Sequence, residues 1–587
     1  MLADARSGLN VALLAFPQGM AYAVIADLPI QYGIVAGAIA AIVAPLVSGS
    51  RHTILGPTNA TAFMLFSYFS AYPHADKLGV MPLLVAMVGV MLVVGAMLRI
   101  ADLIQYISRS VVVGYMSGAA VLIIANQLRQ VMGVELPEPV ADLAADGHAT
   151  HAARTFFTIV HDTLLQIGNT QWQPLVLAFA TFVMWFVLGR YLNKLPVFAI
   201  TLLTMTVLYD RLHAAGVMQV ETFADFALAD LKPSFPDWSV RAWFHEMSRL
   251  FGVAFSIAFL AALENSVMSK TLASHSGDRP RMNQDMFGVG IANLAVAFLG
   301  GMPASGSMTR SALNFASGAV SRLSSIFSGL LCVGGALLLG RFMHAVPKCC
   351  LAALVIGIAG SLINPRQIRI ALRATRSDAA VLVATFLAAL LLPLHVAIFL
   401  GIGVSVMLYL RKASRPHLTE YAFNEEGNLT EAAPGTNIGA AVETAKRPNP
   451  AISIVHVEGE LFFGAAELFR TQIQLACSDP NLRIIVLRLK NARHLDATSV
   501  MALEELIISL RTSERDVIIS GASREVYRVL RNSGVLEVLG RQNIFINSPK
   551  NPNMSTRKAL IRAQELLGTD EADVRIFYDP SKDAKKK

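Results

Sequence analysis

Charge is scarce in this chain of 587 residues. Asp, Glu, Lys and Arg make up 15% of it, against about 25% in a typical soluble protein. That shortage argues against an ordinary soluble enzyme and against a disordered chain, which needs low hydrophobicity and high charge. Cysteine is scarce too. Cys332, Cys349, Cys350 and Cys477 contain no CxxC pair. Neither a disulfide framework nor a zinc site is expected, and the four read as reduced structural residues. There is no GxxxxGK[ST] run, so no ATP-driven step is indicated. HExxH and Gly-x-Ser-x-Gly are absent as well, and the chain does not read as an enzyme.

What is abundant is apolar. The hydrophobic set reaches 54%, with a mean hydropathy of +0.52. Charge is distributed unevenly: 43 charged residues fall in the first 410 positions and 47 in the last 177. The first part has membrane composition and the second soluble composition. The small basic excess, 49 Lys and Arg against 41 Asp and Glu, therefore reflects membrane topology rather than a nucleic-acid surface. The first apolar stretch begins near Gly8 and has no A-x-A-type break, so it reads as a mature helix rather than a cleaved signal.

A bilayer span needs about 20 largely apolar residues. Fourteen segments qualify: 8–27, 31–49, 53–70, 78–99, 110–131, 173–190, 196–212, 250–270, 284–301, 304–319, 322–341, 344–363, 377–393 and 394–411. With the N-terminus in the cytoplasm, the inner side carries 17 Lys and Arg and the outer side 9. An even count then leaves the C-terminal part inside as well. Residues 414–450 read as a Pro-containing linker. From 451 to 550, strand patterns (452–457, 483–489, 517–520, 543–546) alternate with helical ones (465–475, 499–510, 524–531), which predicts a small α/β domain. Residues 551–587 form a polar tail with one helix expected near 558–567. His148, His151, His161 and Asp162 lie in a long outer loop and read as solvated, with no metal expected.

Two segments carry the chemistry. One runs from Thr53 through Gly56, Pro57, Thr58, Asn59 and Ala60 to Thr61. The other runs from Gly300 and Gly301 through Pro303, Gly306, Ser307, Met308 and Thr309 to Arg310. Each is a Gly/Pro-broken entry into a short apolar helix, and they occupy the third place in each set of seven. Short interrupted segments at matching positions in two halves point to an inverted-repeat transporter. A helix starting in mid-membrane leaves about four amides unpaired, and its dipole adds roughly half a positive charge there. Two such termini make a cradle for an anion, with Thr58, Asn59, Ser307 and Thr309 as further donors.

Arg310 lies within a span, where a charge costs a few kcal/mol or more unless it faces protein or water. Two readings stand: positive potential at an anion site, or a guanidinium snorkelling to the helix end. Glu264 is the one acidic residue well inside an apolar span. It reads as a proton or cation site, as a partner of Arg310, or as a structural carboxylate. Ser266 follows it, and Met268 reads as packing.

These residues resemble the SulP family of anion transporters, the sulfate permeases and their animal relatives. Phe16-Pro17-Gln18-Gly19-Met20-Ala21-Tyr22-Ala23 is similar to the family's first-helix run. Leu28-Pro29, Tyr32-Gly33 and Gly49-Ser50-Arg51 follow its signature around the second helix. Ile30 departs from that signature by standing where Pro is usual. Leu495-Asp496-Ala497-Thr498-Ser499 resembles the turn of a STAS domain. Thr498 falls where related domains are phosphorylated, although Ser499 replaces the common Gly. Asp496 and Thr498 also suit a helix cap.

The resemblance implies seven plus seven inverted helices, with a core of helices 1–4 and 8–11 and a gate of helices 5–7 and 12–14. It implies a homodimer and elevator-like movement of an anion held between the N-termini of helices 3 and 10. It places Gln18, Tyr22, Thr58, Asn59, Ala60, Gly306, Ser307, Met308, Thr309 and Arg310 at the substrate, and Glu264 and Ser266 at a coupling ion, proton or sodium. Gln18 stands where some prokaryotic members carry a proton-handling Glu. The substrate is left among sulfate, bicarbonate, chloride, oxalate and dicarboxylates, with Gln18 and Tyr22 favouring sulfate. A nucleobase carrier fits less well, because the tenth helix carries Arg310 rather than an acid. A sensor that binds an anion without moving it stays open. The expected protein is an integral protein of the cell membrane, with both termini cytoplasmic, no other cofactor, and cytoplasmic regulators acting through the STAS-like domain.

Overall fold

The computed structural model describes residues 1–71, 76–104, 108–134, 142–143, 149–150, 156–191, 196–226, 240–279, 281–414, 417–423, 429–431, 451–476, 479–493, 495–548 and 554–568. His148, His151 and Cys477 lie outside them. The chain divides into two compact units, Met1–Ser405 and Val406–Lys587.

The first unit is helical. Its elements are α1 (Leu2–Ile25), α2 (Ile30–Val47), β1 (Leu55–Gly56), α3 (Asn59–Ala71), α4 (Lys77–Met97), α5 (Ala101–Ile104) and α6 (Arg109–Met132). A short ribbon, β2 (Asp142–Leu143) with β3 (Ala149–Thr150), precedes α7 (Phe156–Leu165), α8 (Trp172–Tyr191) and α9 (Val197–Ala214). Then come α10 (Val240–Ser276), α11 (Met282–Phe298), β4 (Ser305–Gly306), α12 (Met308–Ala316), α13 (Leu323–Leu339), α14 (Lys348–Leu362), α15 (Pro365–Ala374), α16 (Arg376–Leu391) and α17 (Leu394–Ala413). Each of the fourteen expected segments holds a helix. Among the described residues, ten helices are long and apolar enough to cross a membrane. The other four expected segments are α3, α11, α12 and α16, of 13, 17, 9 and 16 residues.

Polar caps set several helix starts. Asp76 accepts from the Gly79 amide, and Ser108, Asn364 and Thr375 cap α6, α15 and α16. Within the bundle, helix backbones meet at small residues. A side chain on Gly33 would strike the carbonyl of Gly19, so α1 and α2 cross in near backbone contact. Gly89 faces Gly290 between α4 and α11, and Gly329 faces Ala38 between α13 and α2.

α4 packs on α11 and α13 on α2, while α13 packs on α1 and α4 on α10. Counted in apolar spans, each of these contacts has a counterpart seven spans along the chain. In a second group, α6 packs on α14 and α16, and α8 packs on α14. Cys332, Cys349 and Cys350 are buried free thiols.

The second unit contains β5 (His417–Phe423), β6 (Leu429–Glu431), β7 (Ile452–Glu460), α18 (Phe463–Ala476), β8 (Ile484–Arg493), α19 (Ala497–Thr512), β9 (Asp516–Ala522), α20 (Arg524–Asn532), α21 (Val535–Leu539), β10 (Ile544–Ile546) and α22 (Met554–Leu567). The sheet order is β10-β9-β8-β7-β5-β6. β7 to β10 run parallel, and β5 and β6 are antiparallel. Both faces of the parallel strands are covered, as parallel sheets require. Val455, Ile485, Leu487, Val517 and Ile519 join a core with Leu503, Leu506 and Leu530. Ile452, Ile454, Ile484, Val486 and Ile518 meet Ala559, Leu560 and Ala563 of α22 on the other face.

Two stretches outside 451–550 also contribute to this fold. The stretch read as linker supplies β5 and β6, because the antiparallel edge extends the parallel sheet. The polar tail opens with α22, whose apolar stripe closes the second face. The remainder of both stretches lies outside the described residues.

Candidate anion site

The two Gly/Pro-broken segments meet. β1 and β4 pair antiparallel, Leu55 opposite Gly306 and Gly56 opposite Ser305. α3 begins three residues after β1, and α12 begins two residues after β4. The ladder thus brings two helix N-termini together inside the unit. Ser307 caps α12, its hydroxyl accepting from the Arg310 amide at 3.4 Å. At α3, Thr58 Oγ1 accepts from the Thr61 amide at 3.4 Å. Among the described residues, the backbone amides of Asn59, Ala60, Met308 and Thr309 donate to no protein group. These are the orphan donors that two helix starts must leave.

A cavity of about 380 Å³ lies beside them. Gln18 and Tyr22 of α1, Asn59 of α3 and Thr309 of α12 line it on one side. Trp185, Val197, Phe198 and Ile358 of α8, α9 and α14 line it on the other. Gln18 Oε1 and Asn59 Oδ1 are buried without a hydrogen-bond partner among the described residues. Ala60 is buried beneath this lining, whereas Met308 and Thr309 are exposed.

Arg310 does not line this cavity. Its side chain is fully buried, and Nη2 donates to the Pro57 carbonyl at 2.6 Å. It runs beneath β1, where a Cβ on Gly56 (φ +155°) would lie 2.5 Å from Nη1. The snorkelling reading is therefore excluded. Nε and Nη1 have no hydrogen-bond partner among the described residues.

Glu264 sits between the two broken segments. Its Oε2 accepts from Thr58 Oγ1 at 3.0 Å and from Ser305 Oγ at 2.8 Å. No ion pair within 4.0 Å joins it to Arg310; two hydroxyls hold the carboxylate instead. Ser266 is buried with its hydroxyl unpartnered, and Met268 packs against Ser311 and Gly306.

Sequence reasoning passed over the residues that hold this geometry. Asn293 Oδ1 accepts from the Ala304 amide at 2.8 Å, and Nδ2 donates to the Ala304 carbonyl at 2.9 Å, fixing the approach to β4. Ser311 Oγ accepts from the Ile54 amide, Asn314 donates to the His52 carbonyl, and Ser7 donates to Asn314. Asn265 is fully buried beside Gly306 with both amide atoms unpartnered. Their one sequence signal was a lone polar residue within an apolar run.

In the second unit, Asp496 caps α19. It accepts from the Ser499 amide at 2.9 Å and the Phe463 amide at 2.7 Å. Thr498 shares none of this capping, because the helix begins at Ala497 and leaves Thr498 exposed in its first turn. Partial burial of Asp496 works against ionisation, but the hydrogen bonds from Ser499 and Phe463 hold its carboxyl below the usual aspartate value.

Residues 1–385 match the sulfate permease family, and residues 442–549 match the STAS domain. A putative sulfate transporter YvdB of Bacillus subtilis is 25% identical, over 92% of this chain and 95% of its own length. A probable sulfate transporter of Mycobacterium tuberculosis is 26% identical, over 93% and 94%. Among solved structures, murine Slc26a9, described as an anion transporter in the inward-facing state, superposes with a TM-score of 0.81. It shares 19% identity, covering 96% of this chain and 92% of that one. The transmembrane domain of a cyanobacterial bicarbonate transporter, BicA, gives 0.58 at 17% identity, over 69% and 97%. The chain belongs to the sulfate permease family: it is a membrane transporter with a C-terminal STAS domain, not an enzyme.

Proposed function

We propose that this chain is a secondary active transporter of an inorganic oxyanion, sulfate before others, bound where α3 and α12 begin. The observation that carries this is the β1–β4 ladder, which brings together the helix starts bearing the unpaired amides of Asn59, Ala60, Met308 and Thr309, with Asn59 and Thr309 lining one cavity. Helix N-termini favour anions, and Arg310 beneath β1 adds a positive charge with no ion pair within 4.0 Å among the described residues. Ser307, Thr309, Gln18 and Tyr22 supply polar contacts, while Gly306 lets the strand lie close to Asn265. Sulfate is placed first because relatives, YvdB among them, are described as sulfate transporters.

Movement follows an elevator: α1 to α4 and α10 to α13 carry the site past α6, α8, α9, α14, α16 and α17. The recurrence of contacts on a shift of seven apolar spans supports two inverted repeats. The arginine excess supports cytoplasmic termini in the cell membrane, and the protein works as a homodimer. Residues 1–413 form the transport domain. The STAS domain receives cytoplasmic regulators, with Thr498 as a candidate phosphosite in the first turn of α19. Glu264, held by Thr58 and Ser305, and Ser266 handle the coupling proton or sodium ion.

The test is uptake of labelled sulfate into liposomes carrying the purified protein, under imposed proton or sodium gradients. Unlabelled bicarbonate, oxalate and succinate serve as competitors. Concentrative sulfate uptake is expected, and the gradient that drives it names the coupling ion. Flux of a competitor in place of sulfate would overturn the substrate assignment. Absence of any anion flux would make the protein a sensor.

A further inference from the structure

A second polar hollow, of about 230 Å³, lies away from the cavity at the half-helices. Its volume is that of several water molecules. Arg51 enters from the loop after α2, Arg279 and Arg281 from the turn between α10 and α11, and Arg322 from the start of α13. Asp278 is the one carboxylate in its lining. It stands 4.0 Å from both Arg51 Nε and His52 Nε2. Among the described residues, Arg279, Arg281 and Arg322 have no ion pair within 4.0 Å. Among the described residues, Arg281 donates to Gln284 at 3.3 Å and Arg322 to the Gly49 carbonyl at 3.1 Å. Asp285 behind the wall lies within electrostatic range of Arg322 but is engaged by the amides of Gly49 and Ser50 and by the Ser269 hydroxyl.

A solvated basic face spreads along one helix. Here arginines from three separate stretches of chain line one hollow. His52 adds an independent sign. It lines the hollow at 8% exposure, is braced edge-on against Phe315, and its Nδ1 has no partner among the described residues. Ser50, Ser269 and Ser276 add hydroxyls to the lining.

We propose that this hollow is a binding site for a phosphate group, distinct from the transport site. Arginine forks match tetrahedral oxyanions through paired, charge-assisted hydrogen bonds. The occupant is either free phosphate or the headgroup of an acidic phospholipid. It ties the loop after α2 to the ends of α10 and α13, all within the helix group that carries both half-helices. The hollow lies on the arginine-rich face, which the orientation proposed above puts in the cytoplasm. The test does not depend on that orientation.

The experiment is an arginine footprint with phenylglyoxal, read by mass spectrometry on the full-length protein. The conditions are neutral detergent with or without inorganic phosphate, and vesicles of phosphatidylcholine alone or mixed with phosphatidic acid. Modification of Arg51, Arg279, Arg281 and Arg322 is expected to slow about tenfold, the effect of one strong charge-assisted contact. The exposed arginines of α15, Arg366, Arg369 and Arg373, are expected to be unchanged. Protection by inorganic phosphate identifies a free ligand; protection by phosphatidic acid alone identifies a lipid. In Arg279→Gln, half-protection of the remaining three requires about tenfold more ligand. No protection in either arm, or equal protection of the α15 arginines, overturns the site. The wild-type footprint stands even if the variant fails to fold, and its readout is independent of whether sulfate is the cargo.

Discussion

Arg310 donates through Nη2 to the carbonyl of Pro57 at 2.6 Å. The guanidinium of the α12 segment is thus fastened under the strand that leads into α3. One neutral carbonyl does not offset a fully buried cation, whose transfer from water costs several kcal/mol or more. Glu264 lies within electrostatic range but makes no ion pair with it, so part of the demand for negative charge remains, and the adjacent unpaired amides share it. The two broken segments form one device, with the ladder setting its geometry and Arg310 its sign.

Arg310→Ala removes that charge without touching the ladder or the Ser307 cap. The variant is expected to fold and to lose at least about tenfold in sulfate uptake, a loss of ~1.4 kcal/mol of anion stabilisation. Arg310→Lys keeps the charge but not the reach of Nη2 to Pro57, and is expected to recover only part of the uptake. Liposome uptake normalised to monodisperse protein on a sizing column decides this. Unaltered uptake in Arg310→Ala removes the residue from the anion site.

Ser307 holds the first turn of α12 by accepting from the Arg310 amide. Ser307→Thr preserves that acceptor, while Ser307→Leu removes it and adds bulk beside the cavity. Loss of a cap costs about 1 kcal/mol in helix stability. Uptake is expected to stay near wild type in the Thr variant and to fall more than about tenfold in the Leu variant. Equal uptake by both would separate α12 from the anion.

Gly33 illustrates how closely the bundle is built. The atom that a side chain would meet is the Gly19 carbonyl, which belongs to a helix backbone and cannot swing aside. Gly33→Ala is therefore expected to push α1 off α2 and cost about 1–3 kcal/mol. A fall in the thermal unfolding midpoint in detergent would show it. An unchanged midpoint would mean that the crossing relaxes freely.

Asp496 gives a pH-dependent expectation for the STAS domain. Its ionised form accepts from Ser499 and Phe463, and its carboxyl in the folded protein lies below the ordinary value of 3.8. The stabilisation is therefore complete above that ordinary value and is lost as pH falls through the depressed one. Asp496→Ala removes about 1 kcal/mol of cap at neutral pH. Amide hydrogen exchange over residues 497–512 in the full-length protein is expected to quicken in the variant. Wild-type exchange rates would show that α19 does not depend on this cap.

The helices were legible because long apolar runs have few alternatives. The two broken segments stood out for the opposite reason, since Gly56, Pro57, Pro303 and Gly306 interrupt such runs. Their pairing was not legible. Leu55 and Gly306 lie far apart in sequence, and a two-residue ladder leaves no periodic pattern. Arg310 was ambiguous for a related reason: nothing local distinguishes a side chain running under β1 from one reaching a helix end. Thr58 and Ser305 were no easier to assign to Glu264, because a hydroxyl in an apolar run commonly bonds its own helix, as Thr181 does to Leu177. In the second unit, β5 and β6 were missed because they stand apart from the alternating strands and helices, in a Pro-containing stretch.

Glu264 separates a structural role from a coupling role by one conservative change. Thr58 and Ser305 both donate to Oε2, and a glutamine carbonyl oxygen has two lone pairs to receive them. Glu264→Gln can therefore keep both hydrogen bonds, and with them the link between the two broken segments. What it loses is the negative charge that binds a proton or a cation. The variant is expected to fold and to keep its order of anion competitors, while uptake driven by the coupling gradient falls to the level without a gradient. Uptake measured across imposed sodium and proton gradients in parallel decides it. If the gradient dependence of the variant equals that of the wild type, Glu264 serves as a pin between β4 and α3, and the coupling ion binds elsewhere.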